Sequence, residues 1–253
     1  MIIFKSEPQI AVMRDASTIV AETLKLVEDN IRVGVTTLEL NNIAEKYIRS
    51  RGGTPSFLGY KDYPASITTS INEVVVHGIP SASRRLKEGD IIGIDIGVFY
   101  NGFHGDAART FAVGKISPDD EKLMRITRES FFEGIKYARP GYHLNHVCVA
   151  IQKHIESNGF SVIKDLIGHG VGKDLHEDPN IPNYDMKRRG PKLLPGMVLA
   201  IEPMVSVGSD QIEILEDDWT AVTADRSKSS HYENTIVITN GDPEILTLKD
   251  YLP

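Results

Sequence analysis

The sequence predicts an α+β protein, with helices packed outside antiparallel β-structure. Three observations carry this. Residues 91–112 hold two apolar-rich runs joined by Asn101-Gly102, the strongest short-range signal for a β-hairpin. Four segments repeat apolar residues at helical spacing, each with a capping or stop signal. Further short runs rich in Val and Ile are bounded by Gly, Pro and Asn, as strands are.

The helices come in two pairs. Ser6-Glu7-Pro8 starts the first, which carries Ile10, Met13, Val20, Leu24 and Val27 and stops before Gly34. Thr36 with Glu39 forms a capping box for the second, with Leu40, Ile43 and Tyr47 as its apolar side and Gly52-Gly53 at its end. Ser117-Pro118-Asp119-Asp120-Glu121 opens the third, with acids at the positive end of the dipole and Leu123, Ile126, Phe131 and Ile135 inward. The fourth runs from about Leu144 through Val147, Ile151 and Ile155 to Asn158-Gly159.

Between these, residues 54–65 read as an aromatic, Pro- and Gly-rich loop, and 67–71 and 74–76 as short strands. After the fourth helix come a strand at 160–163, a glycine-rich loop (Gly168, Gly170, Gly172) and an irregular Pro-rich stretch, 179–195. Val198–Glu202 reads as a strand closed by Pro203, 231–239 as an alternating strand, and 245–248 as the last. Each half holds two helices and a set of strands, so the 253 residues are expected to form one domain of two similar lobes, divided near 115–140.

Composition excludes several classes. Hydrophobic content of 41% and charged content of 25% are ordinary for a soluble globular protein. A net charge of −7 argues against a nucleic-acid partner, and Arg84-Arg85 and Lys187-Arg188-Arg189 are too short for a binding stripe. Cys148 is the single cysteine, so no internal disulfide forms and a reducing compartment is favoured. No apolar run is long enough to span a membrane, and Glu7 and Pro8 come too early for a signal peptide. A cytoplasmic protein is expected.

Chemistry concentrates on the hairpin. With Asn101-Gly102 in the turn, Tyr100 lies opposite Phe103 and Asp95 opposite Ala108. Asp106 is then diagonal to Asp95 on the same face, ~7–8 Å away between Cα atoms. Two carboxylates on the inner face of an apolar hairpin repel unless something positive lies between them. A metal ion meets that need. So does pairing of one aspartate with Arg109 while the other caps a bend.

Other polar residues sit in unusual settings. His169 lies between Gly168 and Gly170, Glu202 ends the apolar run Val198–Ile201, and Glu233 precedes Ile236-Val237-Ile238. Taken singly, each has an ordinary structural explanation. Together Asp95, Asp106, His169, Glu202 and Glu233 suit a borderline divalent metal, and so much negative charge suits two ions rather than one. His176-Glu177-Asp178-Pro179 is not the helical zinc motif, because Pro179 breaks the helix. The Gly168 loop is not a dinucleotide fingerprint, because its third glycine comes one position early.

Several segments in fixed order carry a resemblance: Asn72-Glu-Val-Val-Val-His77-Gly-Ile-Pro80, Gly93-Ile-Asp95-Ile-Gly97, Gly102-Phe-His-Gly-Asp106, Gly168-His169-Gly-Val-Gly172, His176-Glu-Asp-Pro179, Ile201-Glu202-Pro-Met204 and Tyr232-Glu233-Asn-Thr235. Nearly end to end, the chain resembles the type I methionine aminopeptidases of the pita-bread fold, in their short bacterial form. The resemblance implies a dinuclear centre of Co, Mn, Fe or Zn on Asp95, Asp106, His169, Glu202 and Glu233, with Asp106 and Glu233 bridging. It implies substrate contacts from His77 and His176, with Glu202 as the proton carrier. It implies methionine-pocket walls at Phe57, Tyr60, Tyr63, Thr68 and Trp219, and a Na or K ion near Asn72, Val74 and Ser229. The implied partners are nascent polypeptide N-termini near the ribosome, met by a monomer.

There are departures. Lys61 stands where relatives often have His, Thr68 where many have Cys, and Gly97 where a Thr is common. Glu202 and Glu233 are too close in sequence for the helical insertion of type II relatives. Ile2 is too large for the implied specificity, so the protein is expected to keep its own initiator Met. Two other readings fit part of the pattern. An Xaa-Pro aminopeptidase or dipeptidase shares such a metal site but usually adds an N-terminal domain. A non-catalytic binding module on the same fold would usually have lost some of the ligands, and all five stand here.

Overall fold

Residues 1–248 are described by a computed structural model. The first helix, α1 (Glu7–Glu28), begins where the Ser6 amide donates to Gln9 Oε1 at 2.9 Å. The second, α2 (Thr37–Ser50), carries the full box: Thr36 Oγ1 accepts from the Glu39 amide at 3.1 Å, and the Thr36 amide donates to Glu39 Oε2 at 2.7 Å. Its buried stripe is Leu40, Ala44 and Ile48 rather than Leu40, Ile43 and Tyr47. Strict i, i+4 spacing presents the small Ala44 to the sheet and leaves Tyr47 half-buried, where its hydroxyl reaches Glu22 Oε2 at 3.1 Å.

The strands of the first half are β1 (Thr54–Pro55), β2 (Thr68–Ile71), β3 (Val74–Val76), β4 (Ile91–Tyr100) and β5 (Phe103–Ala112). A 3₁₀ turn, Tyr60–Asp62, lies between the first two. The hairpin register is the one the turn demands: Tyr100 faces Phe103, Asp95 faces Ala108 and Gly97 faces Asp106. Asn101 and Gly102 both have positive φ, as a tight I′ turn requires. Along β4 the side chains alternate. Ile92, Ile94, Ile96 and Val98 bury against Val20, Leu24, Leu40 and Ile48 of the two helices. Asp95 and Gly97 therefore face the opposite side.

The third and fourth helices, α3 (Pro118–Ile135) and α4 (Leu144–Ser157), pack closely where Gly134 admits Ile151; a Cβ there would stand 2.6 Å from Ile151 Cγ1. They cover a second core that includes Phe131, Val147, Ile151, Leu199, Ile201 and Ile236. Its strands are β6 (Ser161–Val162), β7 (Gly168–Gly170), β8 (Glu177–Ile181), β9 (Val198–Ile201), β10 (Met204–Ser206), β11 (Ile212–Ile214), β12 (Ala221–Thr223), β13 (Ser229–His231), β14 (Asn234–Val237) and β15 (Glu244–Ile245). All pairings are antiparallel. The largest sheet has the order β15-β14-β9-β7-β8; β13-β10-β6 and β11-β12-β3 form two smaller ones, and β4 carries β5 on one edge and β1 and β2 on the other.

Four local expectations change. The glycine-rich loop at 168 is strand β7, because missing side chains let it approach β8; a Cβ on Gly170 would stand 2.2 Å from the Asp178 carbonyl oxygen. Strand β8 extends through 179–181, inside the stretch read as irregular. The run 231–239 is two strands broken at Tyr232-Glu233, and the last strand is Glu244–Ile245 rather than 245–248.

Candidate metal centre

Four strands and one strand junction converge on a single cavity of about 180 Å³. Asp95 comes from β4 and Asp106 from β5, His169 from β7, Glu202 from the end of β9, and Glu233 from the β13–β14 junction. Asn234 pairs with Ile201, which brings Glu233 beside Glu202, and His169 pairs with Ala200. Thr235 ties the sheets together: it accepts from the Asp106 amide at 3.1 Å and donates to the Asp106 carbonyl at 2.8 Å. The Glu233 amide donates to Ala108 O at 2.9 Å. Arg109 donates to the Glu233 carbonyl and, at 2.6 Å, to Asn234 Oδ1, so it braces the segment that carries Glu233.

The side chains are held close without being neutralised. His169 Nε2 lies 3.6 Å from Glu202 Oε1 and 3.9 Å from Asp106 Oδ2. Its Nδ1 donates to Gly170 O at 2.9 Å, which leaves the Nε2 lone pair aimed at the carboxylates. Asp95 Oδ1, Asp106 Oδ1 and Glu233 Oε1 are buried with no hydrogen-bond partner. Burial raises the Asp95 carboxyl to about 7. Burial, then the neighbouring carboxylates, pushes Asp106, Glu202 and Glu233 well above the usual range. Burial lowers His169 to about 4. Buried acids that repel one another beside a neutral imidazole make a site suited to a cation.

The donor set fits divalent metal. Ligand atoms of Asp106, His169 and Glu233 all lie within 4.8 Å of one another, and so do those of Glu202, His231 and Glu233. Asp95 belongs to neither group but lines the same cavity. His231 is a residue the sequence reading passed over. It is buried, its Nε2 makes no hydrogen bond, and that atom faces Glu202 Oε2 at 3.6 Å and Glu233 Oε2 at 3.8 Å. Its spacing of two from Glu233 was the available signal.

The remaining wall is aromatic. Phe57, Tyr60, Tyr63, Thr68 and Trp219 all line the cavity, with His77, His176 and Lys61. Trp219 meets Tyr63 edge-on at 5.1 Å and His77 at 6.0 Å between ring centroids. The His176 ring lies 4.2 Å from His169 and 5.1 Å from Tyr60. Thr68 pairs with Asp95 across β2 and β4. Leu175, also missed in the sequence, fills the floor beside Phe57 and Tyr63. Gly97 has its own local reason: a Cβ would stand 2.8 Å from Phe57 Cε1 and 2.8 Å from Ser56 Cβ.

Asn72, Val74 and Ser229 lie outside this cavity but meet one another. Ser229 Oγ donates to the Val74 carbonyl at 3.1 Å and the Asn72 carbonyl at 3.3 Å, and the Ser229 amide donates to Asn72 O at 2.8 Å.

Comparison with known proteins agrees with this geometry. Residues 11–240 match the model of metallopeptidase family M24. A methionine aminopeptidase of Clostridium perfringens is 54% identical over 98% of this chain and 99% of its own length. Methionine aminopeptidase 1 of Bacillus subtilis is 51% identical, again over 98% and 99%. Among solved structures, methionine aminopeptidase from Thermotoga maritima superposes with a TM-score of 0.96 at 44% identity, covering 98% of this chain and 99% of that one. Prolidase from Pyrococcus furiosus shares the fold at a TM-score of 0.78 and 24% identity, with 65% of its length covered. The architecture is the pita-bread fold these proteins have in common. The chain is a metal-dependent hydrolase and belongs to metallopeptidase family M24.

Proposed function

We propose that the protein is a methionine aminopeptidase that removes the initiator methionine from chains with a small second residue. One observation carries the reading: a cluster of buried, unneutralised carboxylates and imidazoles opens into an aromatic cavity large enough for a single side chain. Asp95, Asp106, His169, Glu202 and Glu233 would hold two divalent ions, of the Co, Mn, Fe or Zn type. Such ions supply Lewis acidity and a nucleophile at neutral pH when bound.

The protein's own groups do the rest. Phe57, Tyr60, Tyr63 and Trp219 offer the soft apolar contacts a thioether favours. Glu202 takes the proton lost by the attacking water and delivers it to the leaving amine, a role worth ~10²–10⁴ in rate. His176, at the rim, donates to the carbonyl oxygen as negative charge develops there. His77 holds the substrate nitrogen on the Trp219 side. The carbonyls of Asn72 and Val74, gathered at Ser229 Oγ, support a Na or K site that steadies β3.

The same reading makes nascent N-termini the substrate, met beside the ribosome in the cytoplasm by a monomeric, single-domain enzyme of two similar lobes. The buried thiol of Cys148 suits a reducing compartment. Among the described residues no helix is long and apolar enough to cross a membrane.

The test is release of free methionine from a Met-Ala-Ser peptide by chelator-stripped enzyme resupplied with Mn, Fe, Co or Zn, beside a Gly-Pro-Ala peptide. Metal-dependent release from the first alone is the expected result. Cleavage of the Pro peptide alone moves the protein to the proline-directed relatives. Metal binding with no cleavage of either leaves a binding module.

A further inference from the structure

The first six residues belong to no helix or strand, yet one of them is deeply buried. Lys5 Nζ lies 2.5 Å from Glu177 Oε2, with the two side chains only 3% and 4% exposed. The other carboxylate oxygen, Oε1, accepts from the Lys173 amide at 2.9 Å and the Asp174 amide at 3.4 Å. One carboxylate therefore joins the N-terminal segment to Lys173 and Asp174 in the loop that leads to His176.

We propose that Lys5 is a positioning residue for His176, acting through this buried ion pair. The inference rests on the aminopeptidase reading for what His176 does, and on geometry for what Lys5 does.

Lys5 is itself well anchored. Its amide donates to Gly196 O at 2.8 Å, and the next residue, Ser6, caps α1. Helix α1 packs on β4 and β5, which carry Asp95 and Asp106. The path from the metal centre's own hairpin to Glu177 is thus rigid. Gly172 is shaped for it: a Cβ there would stand 2.2 Å from Glu177 Oε1 and 2.6 Å from Lys5 Cε. The Gly172 carbonyl accepts from the His104 amide at 2.8 Å, a second tie to β5.

His176 needs such help. It is exposed at the cavity rim, and among the described residues no hydrogen bond to its side chain is present. Its aim comes from ring contacts and from the backbone between buried Leu175 and pinned Glu177. Stability alone does not call for an ion pair here, since well-packed apolar residues often serve as well or better. A directional pair sets a loop position that apolar packing would leave looser.

The experiment compares Lys5→Met, Lys5→Arg, Glu177→Gln and the double variant Lys5→Met/Glu177→Gln in the metal-loaded full chain. Glu177→Gln keeps an acceptor for the loop amides and removes the charge. Lys5→Met and Glu177→Gln are expected to lower kcat for Met-Ala-Ser by ~10–100-fold, the usual cost of a misplaced group. KM stays within about twofold, since the methionine pocket is untouched. Metal content stays at the wild-type value, Lys5→Arg recovers most of kcat, and the double variant is no worse than either single one. Hydrogen exchange at the amides of 172–176 rises while that of α1 does not.

Wild-type kcat in folded Lys5→Met or Glu177→Gln overturns the proposal. So does a kcat loss that Lys5→Arg fails to recover, or exchange that rises equally in α1. If Lys5→Met does not fold, Glu177→Gln and the double variant decide. A wild-type protein that releases no methionine defeats the aminopeptidase reading instead, and the exchange data still test the tether.

Discussion

Glu202 stands between two imidazoles: its Oε1 lies 3.6 Å from His169 Nε2 and its Oε2 lies 3.6 Å from His231 Nε2. The carboxylate thus lies between two rings that burial keeps neutral, His231 lowered to about 3 and His169 to about 4.

His231 is therefore expected to matter to the centre although it is not among the five residues read from the sequence. In His231→Leu the metal affinity of stripped protein falls by ~10–100-fold, the cost usual for losing a group that orients a ligand. His231→Gln, which keeps a polar terminus near Glu202, loses less. Calorimetric titration of the stripped protein with Mn checks both; unchanged affinity in His231→Leu would show that the ring only fills space.

Without metal the buried acids make stability depend on pH in an unusual direction. Asp95 is raised to about 7 by burial, and Asp106, Glu202 and Glu233 are raised as well. The folded state then holds protons that the unfolded chain releases at the ordinary carboxylate value. Their contribution is fully present below that value and is lost as pH rises through each raised value, which for Asp95 is about 7. Stripped protein should unfold at lower denaturant at about pH 8.5 than at about pH 7, a window above the one in which the buried imidazoles, lowered to about 3 and 4, act in the opposite sense, and bound metal should remove the difference. Equal midpoints in chelator would contradict the assignment of these groups as buried and unneutralised.

Gly97 sits where a side chain would collide with Phe57 and Ser56. Gly97→Thr should cost ~1–3 kcal/mol, as overpacking does. It should also push Phe57 into the cavity and raise KM for methionyl peptides more than it lowers kcat. Denaturant titration and steady-state kinetics give the two numbers. A variant with unaltered KM would mean that the 56–57 segment moves away without disturbing the wall.

The capping box of α2 gives a prediction unrelated to chemistry. Thr36→Ala removes the hydroxyl that accepts from the Glu39 amide, which should cost ~1 kcal/mol. The denaturation midpoint should fall with no change in slope and with kcat unaffected, because α2 supports the outer face of the sheet.

Local rules made much of this molecule readable before folding. Asn101-Gly102 set the register that puts Asp95 and Asp106 diagonal on one face, and every observed pairing of that hairpin follows from it. Ser6, Thr36 and Ser117 marked three helix starts within a residue, because caps satisfy amides that only nearby side chains can reach. The five candidate ligands were visible as charged or imidazole groups in apolar or glycine-rich settings, where their burial demanded a partner.

What tertiary structure alone decided are the contacts between residues far apart in the chain. Nothing local ties Lys5 to Glu177, Trp219 to Tyr63 and His77, or Ser229 to Asn72 and Val74. The glycines of strand β7 speak locally for a loop, whereas between β8 and β9 they allow close approach. Periodicity and capping report on neighbours within a few residues. Sheet order, and with it the meeting of four strands and a strand junction at one cavity, depends on which apolar faces bury together across the whole chain.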